Sequence, residues 1–473
     1  MRFIRTKIVA TLGPSSAEPA MIGRLVEAGC DVFRINFSHG TDEQHQALLD
    51  RVRQVEAERG EPIAVLADLC GPKIRVRPLA GGELLLSDGD EVVIQRGAVV
   101  GEGRRISITL DELIDEVAPG QAILIDDGKI RLEVVEPRPP GEVRCRVVHG
   151  GVLKSGKGVN LPHTALGVDA LTEKDRLDAA WIAAREIDYV ALSFVRRASD
   201  VVGLRRLLRE HGSTASIVAK IEKPQALEEI DAIIDAADAL MVARGDLGVE
   251  MDLPSVPVAQ KRIARKCQAA GKPCIIATQM LESMTEAPSP TRAEVSDVAN
   301  AVLDCADAVM LSGETAAGRF PVEAVSTMND VVAAIEAYHD ATVSPAPVAS
   351  AAEPTVAAIA AAVREVLARL DVSAVAVFTA SGATARVLSK SRLARPVVAL
   401  CPDRGAVRRM QLYYGVDPLL TPAPEHTRDV LTLASRYLVD AGLARSGDRV
   451  VVISGRPLDT PGTTNTLVVH RVP

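Results

Sequence analysis

A chain of 473 residues, 47% hydrophobic and 25% charged, has the make-up of a globular protein of about three domains and excludes disorder as its main theme. Its 54 Lys and Arg against 62 Asp and Glu leave a net charge of −8, which disfavours nucleic acid as a general partner. No run of about eighteen apolar residues occurs, so no membrane partner is expected, and residues 1–7 lack the apolar stretch of a signal peptide. The seven cysteines (Cys30, Cys70, Cys145, Cys267, Cys274, Cys305, Cys401) are odd in number and form no Cys-x-x-Cys pair. That pattern fits a reducing cytoplasm without disulfides or structural zinc.

Short apolar, β-branched runs alternate with amphipathic stretches. The first three runs are 7–12, 31–35 and 63–68; five more follow at 189–193, 216–220, 239–243, 273–277 and 307–311. Helical patterns such as 172–185 and 224–236 separate them. Eight doubly buried strands alternating with helices predict an α/β protein built on a parallel (β/α)8 TIM barrel over 1–71 and 170–340; an open doubly wound sheet is the alternative.

Residues 72–169 break the rhythm. They are rich in Gly, Pro and Val, with turn signals at Asp88-Gly89, Asp127-Gly128 and Pro140-Gly141 and short alternating runs at 91–94 and 144–148. This texture predicts a small all-β domain inserted after the third strand, where a lid over the C-terminal mouth belongs. A Pro/Ala/Ser linker at 341–350 opens the region 341–473, whose apolar strands at 374–379, 396–400 and 449–454 predict a second α/β domain.

In such a barrel the chemistry sits on strand ends and the loops after them. Here those positions carry Arg34, Asn36, Ser38 and His39; Asp68, Lys73 and Arg75; Ser193; Lys220 and Glu222; Arg244, Gly245 and Asp246; Thr278; and Ser312 and Glu314. So many charges at one mouth require partners or a metal. Glu222 and Asp246, on adjacent strands, suit Mg²⁺, with Mn²⁺ as the alternative, since waters and phosphate oxygens complete such a shell. Arg34, Lys220 and Lys73 supply positive charge for a phosphoryl group. Thr278, Ser312 and the N–H groups of Gly245 and Asp246 suit a small carboxylate. That is apparatus for phosphoryl transfer. No GxxxxGK[ST] loop is present, so a nucleotide would not bind as in P-loop enzymes.

The segments TKIVATLGPSS (6–16), FRINFSHG (33–40), DLCGPKIR (68–75), IDDGKI (125–130), GKGVNLP (156–162), AKIEKP (219–224), MVARGDLGVE (241–250), ATQMLESM (277–284) and LSGETAAGRFP (311–321) resemble the pyruvate kinase family end to end, least closely in the last domain. The resemblance implies transfer of the phosphoryl group of phosphoenolpyruvate to ADP, giving pyruvate and ATP, the last step of glycolysis. It implies that Glu222 and Asp246 bind Mg²⁺, that Lys220 neutralises the transferring phosphoryl group and the enolate, and that Arg34 holds the phosphate. Thr278, Gly245 and Asp246 would seat the carboxylate. Asn36, His39, Arg75 and Lys157 match nucleotide positions, and Asp127 lies in the insert, to face the mouth when the lid closes. The proton for the enolate carbon comes from Thr278, Ser312 or a water relay, which the residues leave open.

Two positions vary. Cys70 stands where the family usually has Gln or Lys, and a thiol reproduces neither side chain's hydrogen bonding. Lys73 stands where members have Glu or Lys. Those with Glu resemble enzymes that need K⁺ among oxygens matching Asn36, Ser38, Asp68 and the Leu69 carbonyl. An ammonium there supplies the same charge, so K⁺ is expected to be dispensable.

The segment holding Thr379, Ser381, Gly382, Thr384 and Arg386 leads into a helical pattern, as either a phosphate site or an ordinary capped turn. The resemblance favours a phosphorylated effector, a sugar phosphate or AMP, held with a loop over 455–465 that includes Arg456 and Gly462. It also implies a homotetramer. Two other readings are a metal-enolate lyase or aldolase acting on pyruvate, and a catalytically silent sugar-phosphate sensor. The first gives no reason for Lys220, Lys73 and GKGVNLP; intact Arg34, Lys220, Glu222, Asp246 and Thr278 argue against the second.

Overall fold

Eight parallel strands close into a barrel in chain order: Lys7–Thr11, Val32–Asn36, Ala64–Asp68, Tyr189–Leu192, Ser216–Ile221, Ala239–Ala243, Cys274–Ala277 and Ala308–Leu311. The structure is a computed structural model and describes residues 3–138, 141–162, 169–342, 353–458 and 462–473. Closure excludes the open sheet. The strands are buried on both faces, which is why they read as continuous apolar runs instead of alternating ones.

The N-terminal end of the barrel is held by a repeated device. Asp31, Asp188, Asp238 and Asp307 each stand one residue before an even-numbered strand. Each accepts an amide from the odd strand before it: Ile8, Val65 and Ile217 at 2.8 Å, and Cys274 at 2.7 Å. Each carboxylate also meets a cation: Lys7 at 3.0 Å, Arg53 at 3.3 Å, Arg205 at 3.0 Å and Lys390 at 2.5 Å. Edge amides that would otherwise lack partners are thereby satisfied.

The helix expected at 172–185 spans Glu173–Ala183, with Thr172 and Asp175 in a reciprocal capping box. The pattern at 224–236 is two helices, Gln225–Glu228 and Ile230–Ala236, because Glu229 leaves helical geometry at φ −104°.

Between the third and fourth strands the chain forms a seven-stranded sheet and a separate ribbon, Glu83–Leu86 with Gly151–Lys154. This all-β insert has its own apolar core, including Val92, Ile94, Ile106, Ile123, Leu132 and Val143. Its base touches the barrel mouth where Asn160 Nδ2 donates to Glu250 Oε1 at 2.8 Å.

The C-terminal domain is a five-stranded sheet in the order Val416–Leu420, Val397–Cys401, Ala374–Phe378, Arg449–Gly455, Thr464–Arg471, antiparallel only at the last strand. The first and last were not among the predicted strands. Both lie at edges, one carrying Asp417 and Pro418 and the other a polar alternation, so neither reads as an apolar run. Of the linker at 341–350, residues 343–350 lie outside the described residues; 341 and 342 end the helix Pro321–Thr342. This domain seals the N-terminal end of the barrel. Leu412 is fully buried among Val9, Val32, Leu66, Val218 and Met241 of the barrel interior. Tyr189 Oη donates to the Arg409 carbonyl at 2.5 Å, and Arg408 pairs with Glu56 at 2.6 Å.

Candidate active site

At the opposite end, Asp68 terminates the third strand and is 1% exposed. Its Oδ2 receives Arg34 Nε at 2.7 Å, and its Oδ1 lies 3.2 Å from Lys220 Nζ. Burial works against the carboxylate, but Lys220 and Arg34 hold Asp68 below the ordinary range. Arg34 also donates to Thr11 Oγ1 at 3.1 Å, which fixes its guanidinium across the first and third strands.

Lys220 ends its hydrocarbon stem inside this cluster. Its Nζ lies 2.9 Å from Glu222 Oε1 and donates to Ser193 Oγ at 2.8 Å, which passes its own hydrogen to the Leu69 carbonyl. Burial disfavours the ammonium, yet Asp68 and Glu222 outweigh it and raise its pKa. Lys220 is therefore a fixed cation throughout the physiological range. Glu222 Oε2 accepts the Phe194 amide at 2.8 Å, with Phe194 turned to φ 57° to deliver it. Burial raises the Glu222 pKa, and Asp246 adds to that effect against the pull of Lys220. A carboxylate pair whose Glu222 charge is disfavoured by burial and by Asp246 is a fitting donor set for a divalent cation. Among the described residues no group of three or more His, Cys, Asp or Glu gathers, so waters and substrate oxygens would have to complete a shell.

The next three strand ends form a second patch. Gly245 is the second residue of the short helix Arg244–Glu250, and its amide donates to Thr278 Oγ1 at 2.7 Å. A Cβ at Gly245 would already stand 3.4 Å from that oxygen, so a larger residue would crowd the hydroxyl. Thr278 and Gln279 hold φ of 69° and 53°, a conformation that is costly for a β-branched residue and that clusters at functional sites. Arg244 stabilises it by donating to the carbonyls of Ala277 at 3.3 Å and Thr278 at 2.8 Å while pairing with Asp297 at 2.6 Å. The fully buried Glu314 accepts the amides of Leu281 at 3.1 Å and Ser312 at 2.7 Å, tying the seventh and eighth loops together. The roles of Arg244 and Glu314 depend on Asp297 and Leu281, partners distant in sequence, which no local spacing reveals.

A sequence model described as pyruvate kinase, barrel domain, matches residues 3–325, and one described as pyruvate kinase, alpha/beta domain, matches residues 357–470. The chain belongs to the pyruvate kinase family. It is 44% identical to the pyruvate kinase of Methylorubrum extorquens over 464 residues, covering 98% of this chain and 96% of that one. It is 43% identical to that of Geobacillus stearothermophilus over 469 residues, covering 98% of this chain and 80% of the relative. A crystal structure of a pyruvate kinase from Cryptosporidium parvum superposes with a TM-score of 0.90 at 33% identity, covering 99% and 96% of the two chains. Membership makes the chain a phosphotransferase. No described helix is long and apolar enough to cross a membrane.

Of the positions expected to meet the nucleotide, His39 has its pKa lowered by burial and then by Arg75, Lys73 and Arg34, so positive charge collects around it. Asn36 Oδ1 accepts the Ser38 amide at 3.1 Å. Lys157 pairs with Asp126 at 2.8 Å, and Arg75 donates to the Gly156 carbonyl at 3.0 Å, both at the base of the insert. Lys73 Nζ lies 3.6 Å from Asp246 Oδ1; the ion pairs of Asp68 go to Arg34 and Lys220. Lys73 therefore stands beside the candidate metal carboxylate.

In the C-terminal domain a cavity of about 260 Å³ is lined by Thr379, Ser381, Thr384, Arg386 and Gly462, and by Glu353. Thr384 Oγ1 and Thr464 Oγ1 share a hydrogen at 2.6 Å across its floor. Gly382 caps the helix Ala383–Lys390 at φ 82°. Arg456 is bracketed instead by Asn465, which accepts its amide at 3.0 Å and donates to its carbonyl at 2.8 Å. Residues 459–461 of the loop expected over 455–465 lie outside the described residues.

Proposed function

We propose that this chain catalyses Mg²⁺-dependent phosphoryl transfer from phosphoenolpyruvate to ADP in the cytoplasm. The observation that carries the reading is the Lys220 ammonium, buried between Asp68 and Glu222 and kept protonated by both. A rigid cation in a dry site stabilises charge that develops during transfer without reorganising at that moment. Arg34, locked on Asp68, would hold the phosphate. Thr278, with the amides of Gly245 and Asp246, would seat the carboxylate once Gly245 exchanges its present bond to Thr278 Oγ1 for the substrate. Glu222 and Asp246 would hold Mg²⁺, which when bound supplies further charge neutralisation at the phosphoryl oxygens. Asn36, His39, Arg75 and Lys157 would meet the nucleotide, with residues 72–169 closing as a lid over the barrel of 1–71 and 170–340. A proton then reaches the enolate carbon from Thr278, Ser312 or a water they orient.

The cavity at Thr379, Ser381, Thr384 and Arg386, with Arg456 and Gly462 on the neighbouring strand and loop, would take a phosphorylated activator, a sugar phosphate or AMP. Domain 341–473 would relay that binding within a homotetramer. Lys73 would make K⁺ dispensable.

The test is pyruvate formation from phosphoenolpyruvate, ADP and Mg²⁺, with EDTA and ADP-free controls. Activity lost in both controls supports the reading. Pyruvate formed without ADP would instead indicate a lyase. A sugar-phosphate and AMP panel that leaves the phosphoenolpyruvate saturation curve unmoved would remove the effector assignment.

A further inference from the structure

Asn36 and His39 flank a short connection between the second barrel strand and the helix Asp42–Arg59. That connection is gripped at two carbonyls. Lys174 Nζ donates to the Phe37 carbonyl at 2.9 Å, and His45 Nε2 lies 2.8 Å from the His39 carbonyl. A carbonyl only accepts, so Nε2 carries the hydrogen. The His45 ring is 3% exposed and packs on Phe37 with centroids 4.1 Å apart, while Trp181 stands edge-on to both rings at 5.6 and 6.2 Å. Its Nδ1 is buried without a partner among the described residues. Gly40 admits the ring: a Cβ there would stand 3.1 Å from Nε2, at a φ of +89°.

Packing alone does not account for this residue. An apolar side chain would fill the same space without stranding a ring nitrogen. What the imidazole adds is one hydrogen bond, aimed at the carbonyl of the residue whose own ring lies near Arg34, Lys73 and Arg75.

We propose that His45 is a positioning residue for the nucleotide, fixing the His39 carbonyl so that the Asn36–His39 loop is preformed for ADP. This rests on the assignment of Asn36 and His39 to the nucleotide. His45 itself touches no substrate, so its removal should weaken ADP binding while leaving the phosphoenolpyruvate site intact.

The experiment is steady-state kinetics of His45→Leu, His45→Gln, His45→Asn and His39→Ala in the full chain. His45→Leu should raise KM for ADP about fivefold, the loss of one ordinary hydrogen bond, with KM for phosphoenolpyruvate and kcat changed less than about twofold. The Gln amide nitrogen reaches where Nε2 lies and the Asn amide stops near Nδ1. His45→Gln should therefore recover the wild-type KM and His45→Asn should not. Emission from Trp181, the sole tryptophan, reports whether each variant keeps the ring packing, and the Gln–Asn contrast remains decisive if the Leu variant misfolds. An unchanged KM for ADP in both His45→Leu and His45→Asn, with His39→Ala raising it, overturns the role of His45 and leaves the nucleotide assignment standing. No change in any variant, His39→Ala included, overturns both. Equal rises for the two substrates would reduce His45 to packing.

Discussion

Lys390 Nζ donates to Asp307 Oδ2 at 2.5 Å, with both side chains shut off from solvent. The lysine ends a helix of the C-terminal domain, and the aspartate precedes the eighth barrel strand. Arg392 adds a second contact to Asp307 Oδ1 at 3.2 Å. Burial lowers the Lys390 pKa and Asp307 only partly restores it.

Breaking such a pair from one side leaves a buried carboxylate with one cation, Arg392, where it had two. Lys390→Met should lower stability by about 3 kcal/mol, the low end for a broken buried pair because Arg392 still meets Asp307. The double variant Lys390→Met with Asp307→Ala should cost clearly less than the sum of its single changes. Urea unfolding midpoints of the three proteins check this, and strict additivity would sink it.

The sister residue Asp188 behaves differently. Burial pushes its carboxyl from the ordinary 3.8 up to about 6, despite Arg53 at 3.3 Å and the Val65 amide. Between those values the folded chain holds a proton that the unfolded chain has released. Stability therefore falls as pH rises from about 4 to 6, by roughly 3 kcal/mol from this group. Asp188→Asn should flatten that slope, gaining on the wild type as the pH rises. Denaturation at about pH 4, 5 and 6, across that window, measures it; parallel slopes would contradict the assignment.

Replacing Lys220 by Met should lower kcat by about 10²–10³-fold, the usual consequence of removing one preorganised charge-stabilising donor. KM for phosphoenolpyruvate should move far less, because Arg34 keeps its hold on Asp68. A variant that loses affinity while keeping kcat would assign Lys220 to ground-state binding.

The Lys73 ammonium, 3.6 Å from Asp246, brings a monovalent positive charge to the mouth. Exchanging K⁺ for tetramethylammonium should leave more than about one-tenth of the activity, less than 1.4 kcal/mol of barrier. A larger fall would mean that Lys73 serves Asp246 alone.

Much of this molecule was legible in the chain. Barrel strands show as apolar runs because both faces are buried, and Arg34, Lys220, Glu222, Asp246 and Thr278 show because charge and hydroxyl collect where those runs stop. What stayed hidden depends on contacts across long separations. The edge strands Val416–Leu420 and Thr464–Arg471 bury one face or less, so their apolar signal is diluted. Arg244 finds Asp297 53 residues away. The approach of Lys73 to Asp246, across the long separation between the third and sixth strands, is likewise a contact that no local spacing reveals. The four aspartates before the even strands do share a local pattern, Asp followed by an apolar run, but it shows its meaning only when the odd strands' amides arrive beside it.

Leu412 has a consequence for how the chain can be divided. The barrel interior is lined by strand residues that meet at Leu412, a side chain contributed from a domain that begins well after the eighth strand. A barrel expressed alone would end in an open drain, with Met241 and its neighbours wetted from below and Tyr189 stripped of the Arg409 carbonyl. The barrel is thus an incomplete solid until the C-terminal domain that supplies Leu412 has been made.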